Sequence, residues 1–192
     1  MKQLARGVRR LLGIAPLVAL LGAAPSQDGE PPIFDRKADA REAVARGVEL
    51  AGKKHKRVLV LWGQEAGDGH RELHETLRRG KADKWPFYYE FELVPVHLGG
   101  DGEVNAKLAR TLGVAPEGDA PYLTILDAKH KPLANRSAAG MRNEDGWDKA
   151  QIGAFLTPHA VEPLDAEVVL KGALGRAKAE NKRLFVHLGA PW

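Results

Sequence analysis

The fold is decided by the stretch Arg57-Val58-Leu59-Val60-Leu61-Trp62-Gly63, in which five consecutive apolar residues precede a glycine. An apolar run of this length, rich in valine and leucine, is typical of a central strand that is covered on both faces. The following Gly67-Asp68-Gly69 breaks the strand, and Asp68 is a candidate N-cap for a helix over 68–79. We therefore expect a buried strand that leads through a short turn into a helix.

The remaining elements follow from the spacing of apolar residues on either side of this strand. A lysine-rich helix precedes it, and a further strand–helix unit, a short hairpin and a last helix follow it. The predicted strands cover 91–98, 122–126 and 132–135, and the predicted helices cover 39–54, 104–112 and the region of Trp147, Ile152, Phe155 and Leu156. This order predicts a mixed α/β sandwich.

Three segments of the chain resemble the thioredoxin family. The family's strand-to-helix turn, which normally reads W-C-x-x-C-x-x-L, resembles Trp62-Gly63-Gln64-Glu65-Ala66-Gly67-Asp68-Gly69-His70-Arg71-Glu72-Leu73. The helix before the loop that faces the active site is similar to Asn105-Ala106-Lys107-Leu108-Ala109-Arg110-Thr111-Leu112-Gly113-Val114. The cis-proline strand is similar to Ala120-Pro121-Tyr122-Leu123-Thr124-Ile125-Leu126-Asp127. The resemblance covers about residues 36–158 and implies an α/β, thioredoxin-like mixed-sheet sandwich.

The same resemblance implies where an active site would lie. It places the two cysteine positions of the family on Gly67 and His70, and it places a cis peptide bond before Pro121, facing that turn. The alternative for Pro121 is an ordinary trans proline that starts a strand. Gly67 and His70 are thus degenerate versions of the dithiol positions.

The chain contains no cysteine. Thiol–disulfide exchange needs one thiolate to attack and a second thiol to resolve the mixed disulfide, whereas glycine has no side chain and imidazole forms no exchangeable sulfur bond. We therefore expect no redox activity, no catalytic residue and no cofactor, which leaves a binding or scaffold role toward a protein or peptide. The exposed amides at the start of the helix could hold an anion or a peptide carboxylate.

A metal site is a further alternative on this helix. His70 and His74 lie four residues apart on one helix face, and Asp68 precedes them, so the three residues could ligate zinc. The sequence lacks the glutamate of the H-E-x-x-H pattern, however, and Arg71 adds a positive charge beside the site. We therefore expect two exposed or partly packed histidines and no metal.

The N-terminal residues predict export. Basic residues precede an apolar stretch over 11–21 and a small-residue cleavage site at 24–26, which is the pattern of a signal peptide over 1–26. The apolar stretch is far shorter than the roughly 20 residues of a spanning helix, so the alternative is an uncleaved interfacial anchor and no stable membrane span is expected. A proline-rich linker over 27–35 follows. We expect a periplasmic or extracellular protein.

Removal of this segment changes the charge of the chain. Residues 1–26 contain four basic residues and no acidic one, so the mature chain has 29 − 4 = 25 basic residues against 25 acidic ones. The full chain's net charge of +4 would favour a nucleic-acid partner, but the mature chain gives no such indication. Nucleic acid is therefore not an expected partner.

The C-terminal residues repeat the region around the central strand. The final eleven residues match Lys56–Ala66 at a constant offset of 183 − 57 = 126, and Asp165 pairs with Asp39 at the same offset. The pattern predicts a helix over 165–182 and a strand over 184–188, which together would start a second, incomplete thioredoxin-like module over 159–192. We expect this segment to be less well packed than residues 36–158.

Trp192 takes the place of the tryptophan that precedes the attacking cysteine in the W-C-x-x-C turn. A UGA selenocysteine codon read as a stop, an ordinary truncation and a true C-terminal extension each account for an end at this residue. Two function hypotheses follow. One is a redox-inactive, exported binding module, and the other is a thiol–disulfide or selenol oxidoreductase whose active site lies beyond Trp192 in a longer gene product.

Overall fold

The computed structural model describes residues 32–64, 68–78, 87–98, 103–115 and 120–187, all within one compact unit that begins at Pro32. The side chains of residues 68, 87, 88, 103 and 104 are not part of this description. The predicted signal peptide over 1–26 and the degenerate position Gly67 lie outside the described residues. No helix within them is long and apolar enough to cross a membrane.

The predicted helices and strands of residues 36–158 are found in the predicted order, with the short helix Phe87–Glu90 and the short strands Arg142–Asn143 and Gly146–Trp147 in addition. The helices are α1 (Ala40–Lys53), α2 (Asp68–Arg78), α3 (Phe87–Glu90), α4 (Glu103–Thr111), α5 (Lys149–Leu156) and α6 (Ala166–Ala179). The strands are β1 (Arg57–Gly63), β2 (Phe91–His97), β3 (Tyr122–Leu126), β4 (Pro132–Ser137), β5 (Arg142–Asn143) and β6 (Gly146–Trp147).

Most boundaries differ from the prediction by one or two residues, and two concern helix starts. Trp147 lies in β6 and not in the last helix, because Asp148 caps α5 by accepting hydrogen bonds from the N–H groups of Ala150 and Gln151. Asp68 is the first residue of α2, and its side chain is not described, so its predicted role as the N-cap stays a prediction.

β1 is the second strand of a four-stranded mixed sheet with the order β2-β1-β3-β4. It runs parallel to β2, with Trp62 opposite Val96, and antiparallel to β3, with Leu59 opposite Ile125. β3 and β4 form an antiparallel hairpin, and β5 and β6 form a separate two-stranded ribbon. The order and directions of the strands are consistent with a thioredoxin-like fold.

Each face of β1 contributes to a different hydrophobic core. Leu59 and Leu61 belong to the cluster that includes Leu73 of α2 and Ile152 of α5. Successive side chains of a strand point to opposite faces, and the alternate residues Val58, Val60 and Trp62 belong to the cluster formed with α1 and α4. The continuous apolar run of β1 is therefore explained by its burial on both faces.

Asn105 connects α4 to the start of α1 and the end of β2. Its Oδ1 accepts a hydrogen bond from Ala40 N–H at 3.1 Å, and its Nδ2 donates to His97 O at 3.1 Å and to Ala38 O at 3.3 Å. Asn105 is only 6% exposed, so these bonds satisfy backbone groups that would otherwise be buried without partners. They hold the carboxyl end of β2 against the first turn of α1.

The helix of the C-terminal repeat reproduces the geometry of α1. Both helices have 14 residues, and each begins after an aspartate cap, Asp39 or Asp165. Each ends before a residue in the left-handed conformation, His55 at φ 53° and Asn181 at φ 50°. Both ends also share a 2.8 Å backbone hydrogen bond that closes the last turn, from the N–H of Lys56 to Ala51 and from the N–H of Lys182 to Ala177.

The expected strand of the repeat is not formed. Residues 182–187 have no strand structure and are exposed, and no residue of α6 is buried. A strand needs a neighbouring strand to pair its backbone groups, and the described residues 182–187 have none. The prediction of weaker packing is confirmed for the described part of this segment, whereas a second module is not shown.

Candidate functional site

A groove lies where β1 gives way to α2, at the carboxyl end of the parallel strands β1 and β2. It has a volume of about 250 Å³ and is lined by Gly69, His70, Ala120, Pro121, Ala139, Arg142 and Trp147. The structure therefore brings His70 and Pro121 to the same groove, as the family resemblance implies. Arg142 and Trp147 were not predicted as site residues.

His70 is buried, with 6% of its surface exposed. Its Nδ1 accepts a 2.9 Å hydrogen bond from the backbone N–H of Gln64, which requires Nδ1 to be unprotonated and leaves the ring proton of a neutral imidazole on Nε2. The ring also meets Phe34 edge to face, at 6.2 Å between ring centroids and 84° between planes. His70 thus fixes the turn after β1 to α2 and acts here as a packing residue.

Gly63 makes this packing possible. A Cβ at position 63 would lie 2.7 Å from His70 Nδ1 and 2.7 Å from Phe34 Cζ, which are distances that real Cβ atoms do not show. Phe34 itself is 1% exposed, although the linker was expected to extend over 27–35. The linker prediction is therefore wrong at its C-terminal end, because the ring of Phe34 fills the space that Gly63 leaves open.

Arg142 and Trp147 form the other wall of the groove. The guanidinium of Arg142 lies 5.2 Å from the centroid of the Trp147 ring and donates from Nη2 to Glu72 Oε2 at 2.8 Å. A Cβ on Gly69, in the first turn of α2, would lie 3.2 Å from Arg142 Nη1. Sequence patterns do not identify Arg142 because it comes from the short β5–β6 ribbon, which has no motif of its own.

The peptide bond before Pro121 is trans, since the described residues contain no cis peptide bond. The expected cis geometry is therefore wrong for this structure. Trans is the lower-energy isomer of an X–Pro bond by roughly 0.5–1 kcal/mol. Pro121 immediately precedes β3 and its carbonyl accepts a hydrogen bond from Ala138 N–H at 2.8 Å. A proline at the start of a strand costs no hydrogen bond of the ladder.

His70 and His74, the two candidate zinc ligands whose side chains are described, line different cavities. Nδ1 of His70 already accepts a hydrogen bond, the side chain of Asp68 is not described, and His74 lines a different cavity. No group of three or more His, Cys, Asp or Glu side chains with metal-binding geometry occurs among the described residues.

No protein-family model and no curated protein matches this chain. Among solved structures, it is similar to a disulphide isomerase from Xylella fastidiosa Temecula1 at 22% sequence identity. The match covers 53% of this chain and 76% of that chain, with a TM-score of 0.46. A similarity of this size says nothing of activity, and the description of the fold rests on the strand order and register of this chain.

Substitution of Gly63 tests the packing of Phe34 against His70. Gly63→Ala should lower the free energy of unfolding by about 1–3 kcal/mol, because an added methyl group must displace well-packed side chains. Urea unfolding followed by circular dichroism measures the change. Gly52→Ala is the matched control, since a Cβ at that helical position meets nothing within 4 Å, and it should leave stability unchanged or raise it. Equal stability of the two variants would contradict the proposed packing.

Proposed function

We propose that the chain is an exported, redox-inactive thioredoxin-like protein that binds a peptide or protein partner through the groove beside α2. The observation that supports this most directly is the position of Arg142. Its guanidinium lines the groove, stacks on Trp147 and lies beside the first turn of α2. A planar cation next to the amides of a helix N-terminus suits a carboxylate. The expected partner therefore presents a C-terminal carboxylate or an acidic side chain to this groove.

The chemistry of the groove favours binding over catalysis. The chain has no cysteine, so it offers no thiolate for disulfide exchange. His70, at the second of the two dithiol positions, is held by the backbone of Gln64 and by Phe34. Its imidazole thus has a structural role in the wall of the groove, which is consistent with a binding module.

Glu72 forms an ion pair with Arg142, but a carboxylate of the partner can easily replace Glu72. The side chains are 47% and 45% exposed, and an ion pair at this exposure is worth about 0–1 kcal/mol. A carboxylate of the partner can therefore take the place of Glu72 at little cost. Trp147 Nε1 is a buried donor with no hydrogen-bond partner among the described residues, so a small shift of the indole toward a bound carbonyl oxygen would also satisfy it.

Arg142→Gln tests the binding role. A library of short peptides with free carboxyl termini should yield binders in an NMR titration of the full chain. Either Arg142→Gln or amidation of the peptide C-terminus should weaken their binding about tenfold or more, because a hydrogen bond to a charged group contributes roughly 1.5–3 kcal/mol. The control is Arg136→Gln, an exposed residue of β4 that does not line the groove. A library without binders, or binders equally sensitive to both variants, would overturn the proposal.

Export is a separate part of the proposal and rests on the signal-peptide pattern over 1–26. Expression of the full chain in a bacterial host should give a mature protein outside the cytoplasm that begins at Gln27. N-terminal sequencing and intact mass of each cell fraction measure this. A variant without residues 2–26 should stay in the cytoplasm. Recovery of the uncleaved full chain from the cytoplasm would count against export.

A second candidate function is a thiol–disulfide or selenol oxidoreductase formed by a second module of a longer gene product. The observation that favours it is the agreement of α6 with α1 in length, cap and final turn. Val44 and Val48, which α1 buries in the core, correspond at the offset of 126 to Leu170 and Leu174, which are 43% and 44% exposed. The face that α1 uses to cover a sheet is therefore present in α6, and no described strand lies against it.

The nucleotide sequence beyond the Trp192 codon decides this second candidate. The selenol version requires UGA as the next codon, followed in the same frame by codons for x-x-Cys and for a later strand that begins with proline. The longer product should then reduce a disulfide substrate, whereas the 192-residue chain should not. A different stop codon, or a downstream frame without these features, removes the selenol version of this candidate.

A further inference from the structure

A second cavity opens at the other end of the sheet from the groove, where β1 and β2 begin. It has a volume of about 230 Å³ and lies between the starts of these strands, α2 and the end of α5. None of its lining residues lines the groove. The cavity is therefore independent of the proposed peptide site.

The floor of the cavity is apolar and well packed. Leu59, Leu77 and Phe91 line it with 2%, 8% and 5% of their surfaces exposed, and Leu156 is fully buried. A cavity of about 150 Å³ with such a lining is large enough for benzene. The volume of the whole cavity is therefore sufficient for a benzene-sized body with one small substituent.

The rim of the cavity is positively charged. Three of the four charged residues that line it are cations, Lys54, Lys56 and Arg78, and the fourth is Glu92. Glu92 is already paired with Lys54 at 2.9 Å. Burial lowers the pKa of Lys56, while Glu92 raises it and Lys54 lowers it further. Partial burial of a cation strengthens its attraction to an anion that enters the same space.

His74 adds a buried polar atom to this cavity. The residue is 9% exposed, and its Nδ1 has no hydrogen-bond partner among the described residues. The nearest described carboxylate oxygen, Glu75 Oε1, lies 3.6 Å away, so the two groups form an ion pair when the ring is protonated. Burial lowers the pKa of His74, with Glu75 acting in the opposite direction and Arg78 and Arg71 in the same direction. The imidazole of His74 therefore forms part of the cavity wall, and its Nδ1 has almost no surface open to a ligand.

We propose that this cavity binds a small organic monoanion with a compact apolar body, of the size and shape of benzoate. The apolar body lies on the floor formed by Leu59, Leu77 and Phe91, and the carboxylate faces the cationic rim. The cavity thus selects for a negative charge attached directly to a small apolar group.

Titration of the full chain with benzoate and with its neutral isostere benzamide tests the site. Benzoate should shift the NMR signals of His74 and Leu93, which line the cavity, and benzamide should bind at least about fivefold more weakly, since the charged contact is lost. Lys56→Met should weaken benzoate about fivefold or more and leave benzamide within about twofold. Equal affinities for the two ligands, or signal shifts outside the cavity, would overturn the proposal.

Two further variants keep the result unambiguous. Lys53→Met is the matched control, because Lys53 is an exposed neighbour that pairs with Glu49 and does not line the cavity; it should change benzoate affinity by less than about twofold. Leu93→Trp should fill the cavity and abolish binding of both ligands. If that variant does not fold, the comparison of Lys56→Met with Lys53→Met decides. Equal losses in those two variants would show general charge screening and would refute the site.

Discussion

The burial of β1 on both faces is the constraint on which the rest of the structure depends. Trp62 brings an indole N–H into the interior, and a buried donor without an acceptor would cost about 1–3 kcal/mol. Its Nε1 therefore donates to Thr124 Oγ1 at 2.9 Å, Thr124 donates to Asn135 Oδ1 at 2.6 Å, and Asn135 Nδ2 donates to Leu112 O. These three hydrogen bonds join β1, β3 and β4 to Leu112, just after α4.

The position of the groove follows from where β1 ends. Gly63 lets the rings of Phe34 and His70 approach the backbone, and His70 in turn ties the first turn of α2 to Gln64. α2 then presents Gly69 to Arg142 of the β5–β6 ribbon. The groove is therefore a consequence of packing around one glycine, and the residues that line it come from elements that are far apart in the chain.

The sequence predicts the helices and strands of residues 36–158 well because their signals are local or depend on burial alone. The five apolar residues of β1 are read directly from the chain, whereas the cap at Asp148 was not predicted and the last helix was started too early, at Trp147. The trans bond before Pro121, the burial of Phe34 and the contact of Arg142 with Glu72 could not be read in this way. Each depends on a partner from another part of the chain, and a family resemblance with degenerate dithiol positions does not determine such contacts.

A comparison of α1 with α6 distinguishes features that depend on nearby residues from features that depend on contacts with distant parts of the chain. Their ends are alike because an aspartate cap and a left-handed residue act through hydrogen bonds to nearby backbone atoms. Their faces differ because burial needs a sheet. Gly47 of α1 packs against Val94 of the sheet, whereas α6 has no strand beside it among the described residues. Fully burying a leucine contributes about 1.5–3 kcal/mol, and the half-exposed Leu170 and Leu174 obtain little of it. An isolated helix of 14 residues is only marginally stable in water, so α6 depends on its caps, and a sheet placed against Leu170 and Leu174 would stabilise it as β1 and β2 stabilise α1.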